Sequence, residues 1–269
     1  MLLKVSAEKV NKDKKVKRKF SVAKFISVLL AGFIILAIWG FAFYYLFDVN
    51  GKDSIFGPDQ NVLSGKTIVL DAGAGVATSK KLEQPYLGSN LFVDAYTVGV
   101  ENDKITEEEV NLLVVQKLKS KLEELGVTIY LTRNGKFSNI TNVEKAEFAN
   151  AVGADLLLEV FCNSAINKGA SGVSVAVPDE EHTDAEICEK SKDISENILK
   201  YLVSKTKTQN LGISHKDEYT EFNWVKVPAV RVVIGYLSNP EESKKLMDTK
   251  YQDLVVEGIV DGLARYYLE

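Results

Sequence analysis

Lys66-Thr67-Ile68-Val69-Leu70-Asp71-Ala72-Gly73-Ala74-Gly75 is the stretch whose reading decides the fold. Thr67 to Leu70 is a short apolar run rich in β-branched residues, the composition of a buried strand. It ends on Asp71, and Gly73 and Gly75 then permit a tight turn. A polar residue where a buried strand meets a glycine-rich turn is a usual place for chemistry in an open α/β sheet. Between the two glycines stands Ala74, whose side chain has no lone pair, no exchangeable proton and no charge.

Downstream, residues 76–105 are irregular, with Pro85, Gly88 and Gly99. Thr106 with Glu109 has the spacing of a capping box, and Val110, Leu113, Val114, Leu118, Leu122 and Leu125 then form one apolar helical stripe ending at Gly126. Val127–Leu131 reads as a second strand. Thr141 with Glu144 caps a helix running to Gly153, and Asp155–Phe161 is a third strand. Gly172–Val177 alternates like a fourth strand, and Thr183 with Glu186 opens another helix. Ala229–Leu237 is a long buried strand, Asn239-Pro240-Glu241 starts a short helix, and a last helix ends near residue 267. Strands alternating with helices define an α/β fold, a largely parallel sheet covered by helices on both faces.

Upstream the chain changes character. Residues 1–24 hold nine Lys/Arg against two acids, whereas the remainder holds 24 basic and 35 acidic residues. A basic tail on an acidic body argues against nucleic acid as a partner, because the basic charge lies outside the foldable part. Residues 25–47 form an uncharged run of 23 residues, long enough to cross a bilayer as a helix. Basic residues directly before it predict a cytoplasmic N-terminus and an extracytoplasmic C-terminal domain at the cell membrane. No small-residue cleavage site follows Tyr44-Tyr45-Leu46-Phe47, so the run reads as a retained single-pass anchor. The expected organisation is therefore a tail over 1–24, a transmembrane helix over 25–47, a linker over 48–64 and a domain over 65–269.

With two cysteines and two histidines, a disulfide framework and a Cys/His zinc cluster are excluded. His182 and His215 lie among polar residues and read as surface groups. Cys162 and Cys188 read as free buried thiols.

The order of motifs resembles the zinc-dependent N-acetylmuramoyl-L-alanine amidases of the Amidase_3 family. The pieces are Val-Leu-Asp-Ala-Gly-Ala-Gly at 69–75, Glu-Glu-Glu-Val-Asn-Leu at 107–112 and Leu-Thr-Arg-Asn at 131–134. Ala-Asn-Ala-Val-Gly-Ala-Asp at 149–155, Phe-Cys-Asn at 161–163, Pro-Ala-Val at 228–230 and Gly-Tyr-Leu-Ser-Asn-Pro-Glu at 235–241 follow in order. The resemblance implies cleavage between muramic acid and the peptide stem of peptidoglycan, with zinc held by two histidines and a glutamate beside a second, catalytic glutamate. Carried onto this chain, the metal-ligand positions are Ala74, Glu107 and Phe161, and the base position is Val233. Three of the four cannot coordinate or titrate. Zinc needs three protein ligands with lone pairs, and the reaction needs a base. No cofactor, and no catalytic residue, is therefore expected. Glu107 reads as a helix N-terminal acid that favours the macrodipole.

The implied function is a catalytically inactive, membrane-anchored amidase-like protein that binds peptidoglycan or scaffolds an envelope protein. The alternatives are an active amidase with a displaced metal site and a structural partner in a membrane complex. The loop 76–106, with Tyr86, Leu91, Phe92 and Tyr96, is expected to fill the vacated pocket rather than to form a binding surface. Strand parity places Glu159 on the face of Phe161 and Arg231 on the face of Val233, one step deeper. Both sit in apolar runs, so a buried Glu159–Arg231 ion pair is expected beneath the site.

Overall fold

The computed structural model describes residues 32–39, 57–102 and 105–269. The expected basic tail, most of the expected transmembrane run and residues 48–56 of the linker lie outside them. Residues 32–39 are helical (α1), and among the described residues no helix is long and apolar enough to cross a membrane. The described residues from 57 onward form a compact unit of their own.

That unit starts earlier than a bare linker would allow. Gln60–Leu63 makes a 3-10 turn, capped by Asp59, and its Leu63 is fully buried in the core. The chain then enters β1 (Thr67–Ala72). Two short hairpins occupy the stretch read as irregular: β2 (Leu82–Glu83) with β3 (Val93–Asp94), and β4 (Glu101–Asn102) with β5 (Ile105–Thr106). They are followed by α2 (Glu107–Glu124), β6 (Thr128–Leu131), α3 (Asn142–Ala151), β7 (Leu156–Asn163) and β8 (Val173–Pro178). The chain continues through α4 (Ala185–Thr206), β9 (Asn210–Lys216), α5 (Thr220–Trp224), β10 (Ala229–Tyr236), α6 (Pro240–Leu246) and α7 (Thr249–Leu268).

The central sheet has the order β6-β1-β7-β10-β8-β9. Pairing is parallel throughout except between β10 and β8. Alternate residues of the buried strands feed two cores, as a period of two requires. Leu70, Leu158, Val160, Val232 and Ile234 face α2, α4 and α7; Val69, Leu157 and Ala229 face α3 and α5. The α4–α7 contact is unusually close. A Cβ on Gly258 would lie 2.7 Å from Leu202 Cα, and one on Gly262 2.5 Å from Ile198 Cα. Only glycine lets those backbones approach so nearly.

Thr141 and Glu144 form the expected capping box. The other two do not. Thr106 makes no side-chain cap bond; it pairs with Glu101 in the β4–β5 hairpin. Thr183 donates its hydroxyl to Phe222 O (2.8 Å), and Asp184 caps α4 instead. His215, read as a surface group, is exposed on β9, the outer edge strand, with Nδ1 3.3 Å from Pro178 O. The polar run around Gly212 hid that strand. His182 stacks on Tyr86 at 3.9 Å between ring centroids. Cys162 packs into the core beneath α2 and α7, Cys188 is buried on α4, and both are free.

Candidate functional site

The turn after β1 is held from three sides. Arg133 donates Nε to Ala72 O (2.6 Å) and Nη2 to Gly73 O (3.0 Å) and Glu108 O (2.9 Å). Asn111, fully buried on α2, donates Nδ2 to Gly73 O (3.0 Å). Ala74 is forced to φ 57°, a left-handed conformation that costs a non-glycine residue about 1–2 kcal/mol. Its methyl group is buried under the loop at Gly99, where an added Cβ would lie 3.1 Å from Ala74 Cβ and 3.2 Å from Glu107 Cβ.

Glu107 is more than a helix-terminal acid. It is buried, Oε2 accepts from Val100 N (3.1 Å) and Oε1 from Cys162 N (3.1 Å), with Asn111 Nδ2 at 3.4 Å. Burial pushes its carboxyl up, against the opposing effect of these N–H donors. The side chain staples loop, helix and strand together, and both oxygens are already engaged.

Phe161 projects from β7 over the turn, close enough that a Cβ on Gly73 would overlap its ring. Val233 lies beside it in register on β10. On the other side of the Phe161 ring is the guanidinium of Arg231, with Cζ 3.8 Å from the ring centroid and 3.9 Å from that of Tyr219. Arg231 Nε donates to Glu159 Oε2 at 2.8 Å, in the pairing that strand parity places one step below Phe161 and Val233. Its Nη2 pairs with Glu221 on α5. Glu221 and Tyr219 carried no sequence signal, because α5 has only five residues and no readable period.

The charged row extends across the sheet. Asp71, Glu159 and Arg231 are register neighbours on β1, β7 and β10. Lys145, reaching down from α3, donates to Asp71 Oδ2 at 3.0 Å, and Thr132 donates to Oδ1. Burial acts to raise the Asp71 carboxyl, but Lys145 and the Thr132 hydroxyl outweigh it and hold it below the ordinary carboxylate value. Burial raises Glu159, which Arg231 only partly offsets. Depression of the Asp71 value means its ionised form contributes stability above the unfolded-state pKa, and that contribution is lost as pH falls through the lower folded value. Glu159 acts in the opposite sense: the folded state holds its proton more tightly, an advantage lost as pH rises. Stability is therefore expected to decline below about pH 4, and Asp71→Asn to flatten that acid limb; urea unfolding across pH measures both.

Ala, Phe and Val supply no ligand atom, Glu107 is spent on backbone N–H groups, and a cation already stands behind Phe161. This donor set does not fit zinc. Among the described residues no group of three His, Cys, Asp or Glu side chains is placed to hold a metal ion.

The loop covers the site with its backbone at Gly99, beside the Phe161 ring, and not with the aromatic side chains expected to fill it: Leu91 and Phe92 are largely exposed, Tyr86 stacks on His182 and Tyr96 lines a neighbouring cavity. Gln84 to Val93 contains no charged residue. Between this loop and the turn lies a cavity of about 490 Å³ whose lining includes Val76, Ala77, Tyr96, Val98 and Glu108.

Residues 68–265 match the sequence profile of the N-acetylmuramoyl-L-alanine amidase family Amidase_3, and the chain belongs to that family. It is 26% identical over 206 residues to the N-acetylmuramoyl-L-alanine amidase CwlM of Mycobacterium tuberculosis, covering 77% of this chain and 46% of that one. The chain thus spans under half the length of that relative. Among solved structures, the amidase Ami1 of Mycobacterium smegmatis shares the fold with a TM-score of 0.69 at 16% identity, covering 76% of this chain and 98% of that one. The CwlD amidase of Clostridioides difficile, in complex with the GerS lipoprotein, shares it with a TM-score of 0.62 at 23% identity, covering 75% and 98%.

Proposed function

We propose that this chain is a non-hydrolytic member of the amidase family, anchored in the cell membrane by residues 25–47 with residues 65–269 outside, and acting as a binding or scaffolding protein of the bacterial envelope. The observation that carries the reading is the plug. A phenylalanine ring stands where the family resemblance puts a ligand, a guanidinium packs against that ring, and a valine stands at the base position. Without bound zinc no water is activated near neutral pH, and without a glutamate at 233 no base takes its proton. The apolar, uncharged tip of the β2–β3 hairpin supports a binding role, since such patches mark contact surfaces. The complex of CwlD with a lipoprotein supports a protein partner besides peptidoglycan.

The test is incubation of the purified chain with peptidoglycan sacculi. The expected result is co-sedimentation, or capture of an envelope protein, with no release of stem peptide; stem peptide released at enzymatic rates contradicts the proposal. For the topology, protease added outside spheroplasts should digest residues 65–269 and spare the N-terminal tail. Protection of the domain contradicts that orientation.

A further inference from the structure

The residues at the metal-site positions do not fit zinc, and the group that stands behind them is itself a cation. We propose that the Arg231 guanidinium is the resident cation of this site, held in a cage that selects a planar guanidinium over a metal ion or an ammonium. The inference rests on the zinc-free reading above.

The cage has two walls and two edges. The walls are the ring faces of Phe161 and Tyr219, whose centroids lie 3.8 and 3.9 Å from Arg231 Cζ. The edges are carboxylates: Glu159 on β7, taking Nε at 2.8 Å, and Glu221 on α5, paired with Nη2. All three charged side chains are at least nine-tenths buried. A guanidinium presents its π face and its N–H edges in perpendicular directions, so it can stack between rings and donate to carboxylates at once. A compact ammonium has no flat face to stack. Zinc takes at least three protein ligands, one more than the two carboxylates here.

The cation ties α5 to the sheet across the already paired strands β7 and β10. Arg231 joins β10 to β7 through Glu159 and to α5 through Glu221. In turn α5 holds the base of the apolar hairpin, with Asn223 Nδ2 donating to Pro85 O (3.0 Å) and Trp224 Nε1 to Gln84 O (3.1 Å). One side chain thereby links the sheet, through α5, to the base of the β2–β3 hairpin.

The test is chemical rescue. Arg231→Ala removes the guanidinium and the two methylenes that ethylguanidinium would restore. Thermal unfolding of full-length Arg231→Ala should show a saturable Tm rise of about 3 °C or more with millimolar ethylguanidinium, absent from the wild type. Ethylammonium and zinc should give no such rise. If Arg231→Ala does not accumulate folded, its refolding yield with and without ethylguanidinium is measured, and an increase is expected. Arg231→Lys should melt below the wild type despite its retained charge. No rescue, equal rescue by ethylammonium or zinc, or a wild-type Tm for Arg231→Lys would each overturn the inference. Metal analysis of the wild-type chain separates the two claims. Bound zinc sinks the zinc-free reading, whereas a zinc-free chain without rescue sinks the guanidinium cage alone.

Discussion

Arg231→Ala is expected to lower the stability of the folded domain by about 3–5 kcal/mol, measured by urea unfolding at neutral pH. The substitution leaves two buried carboxylates, Glu159 and Glu221, without their shared cation, and removes a planar group stacked between two rings. Stranded charges in a dry interior are costly, whereas a buried ion cluster replaced as a whole by apolar side chains often loses little. Arg231→Met combined with Glu159→Leu and Glu221→Leu should therefore cost less than Arg231→Ala alone. Single substitutions whose effects are small and additive would mean the three groups are not coupled.

A second large effect concerns metal affinity. Ala74→His with Phe161→His restores two imidazoles beside Glu107, but leaves the guanidinium behind the new ring. Both Glu107 oxygens already accept backbone N–H groups, so a bound metal would have to displace those hydrogen bonds. The double variant should bind zinc weakly or not at all. Adding Arg231→Leu alone, which removes the positive charge and leaves the carboxylates of Glu159 and Glu221 nearby, should raise zinc affinity by at least about 10-fold in competition with a chelating dye. Hydrolysis should still be absent without Val233→Glu, because no base has been supplied. Equal zinc affinity with and without Arg231 would show that the guanidinium does not bear on the metal position.

Much of the fold is legible in the sequence because its strands are buried on both faces and its helices carry clear stripes. Ile68, Val69 and Leu70 form an unbroken apolar run because α2 and α7 cover one side of the sheet and α3 and α5 the other. Edges read less well. Asn210–Lys216 is a polar, half-exposed strand with Gly212 inside it, and nothing in its composition separates it from a loop. The reading of Thr183 as an N-cap failed because a tertiary acceptor, Phe222 O, took its hydroxyl while the adjacent Asp184 served equally well.

The site divides in the same way. Residues two apart on a strand share a face, so Glu159 and Arg231 could be placed together beneath Phe161 and Val233 from parity alone. Their third partner, Glu221, and the Tyr219 ring come from a five-residue helix that no periodicity announces. Arg133 and Asn111 sat in plain view within Leu-Thr-Arg-Asn and Glu-Glu-Glu-Val-Asn-Leu. Their work on the carbonyls of Ala72 and Gly73 depends on a loop geometry that sequence spacing does not carry. The role of Glu107 was misjudged for a related reason: its helix position is local, but both of its acceptor duties are to distant or folded-back N–H groups.

On the proposed reading, Phe161 stands at a metal-ligand position of this amidase fold, the Arg231 guanidinium packs against it, and no zinc is held. Metal analysis of the purified full-length chain, expressed with zinc present and dialysed without chelator, tests it most directly. The account predicts no stoichiometric zinc and no change in Tm on adding a chelator; one zinc per chain that survives dialysis, with a Tm that falls when it is stripped, would contradict it.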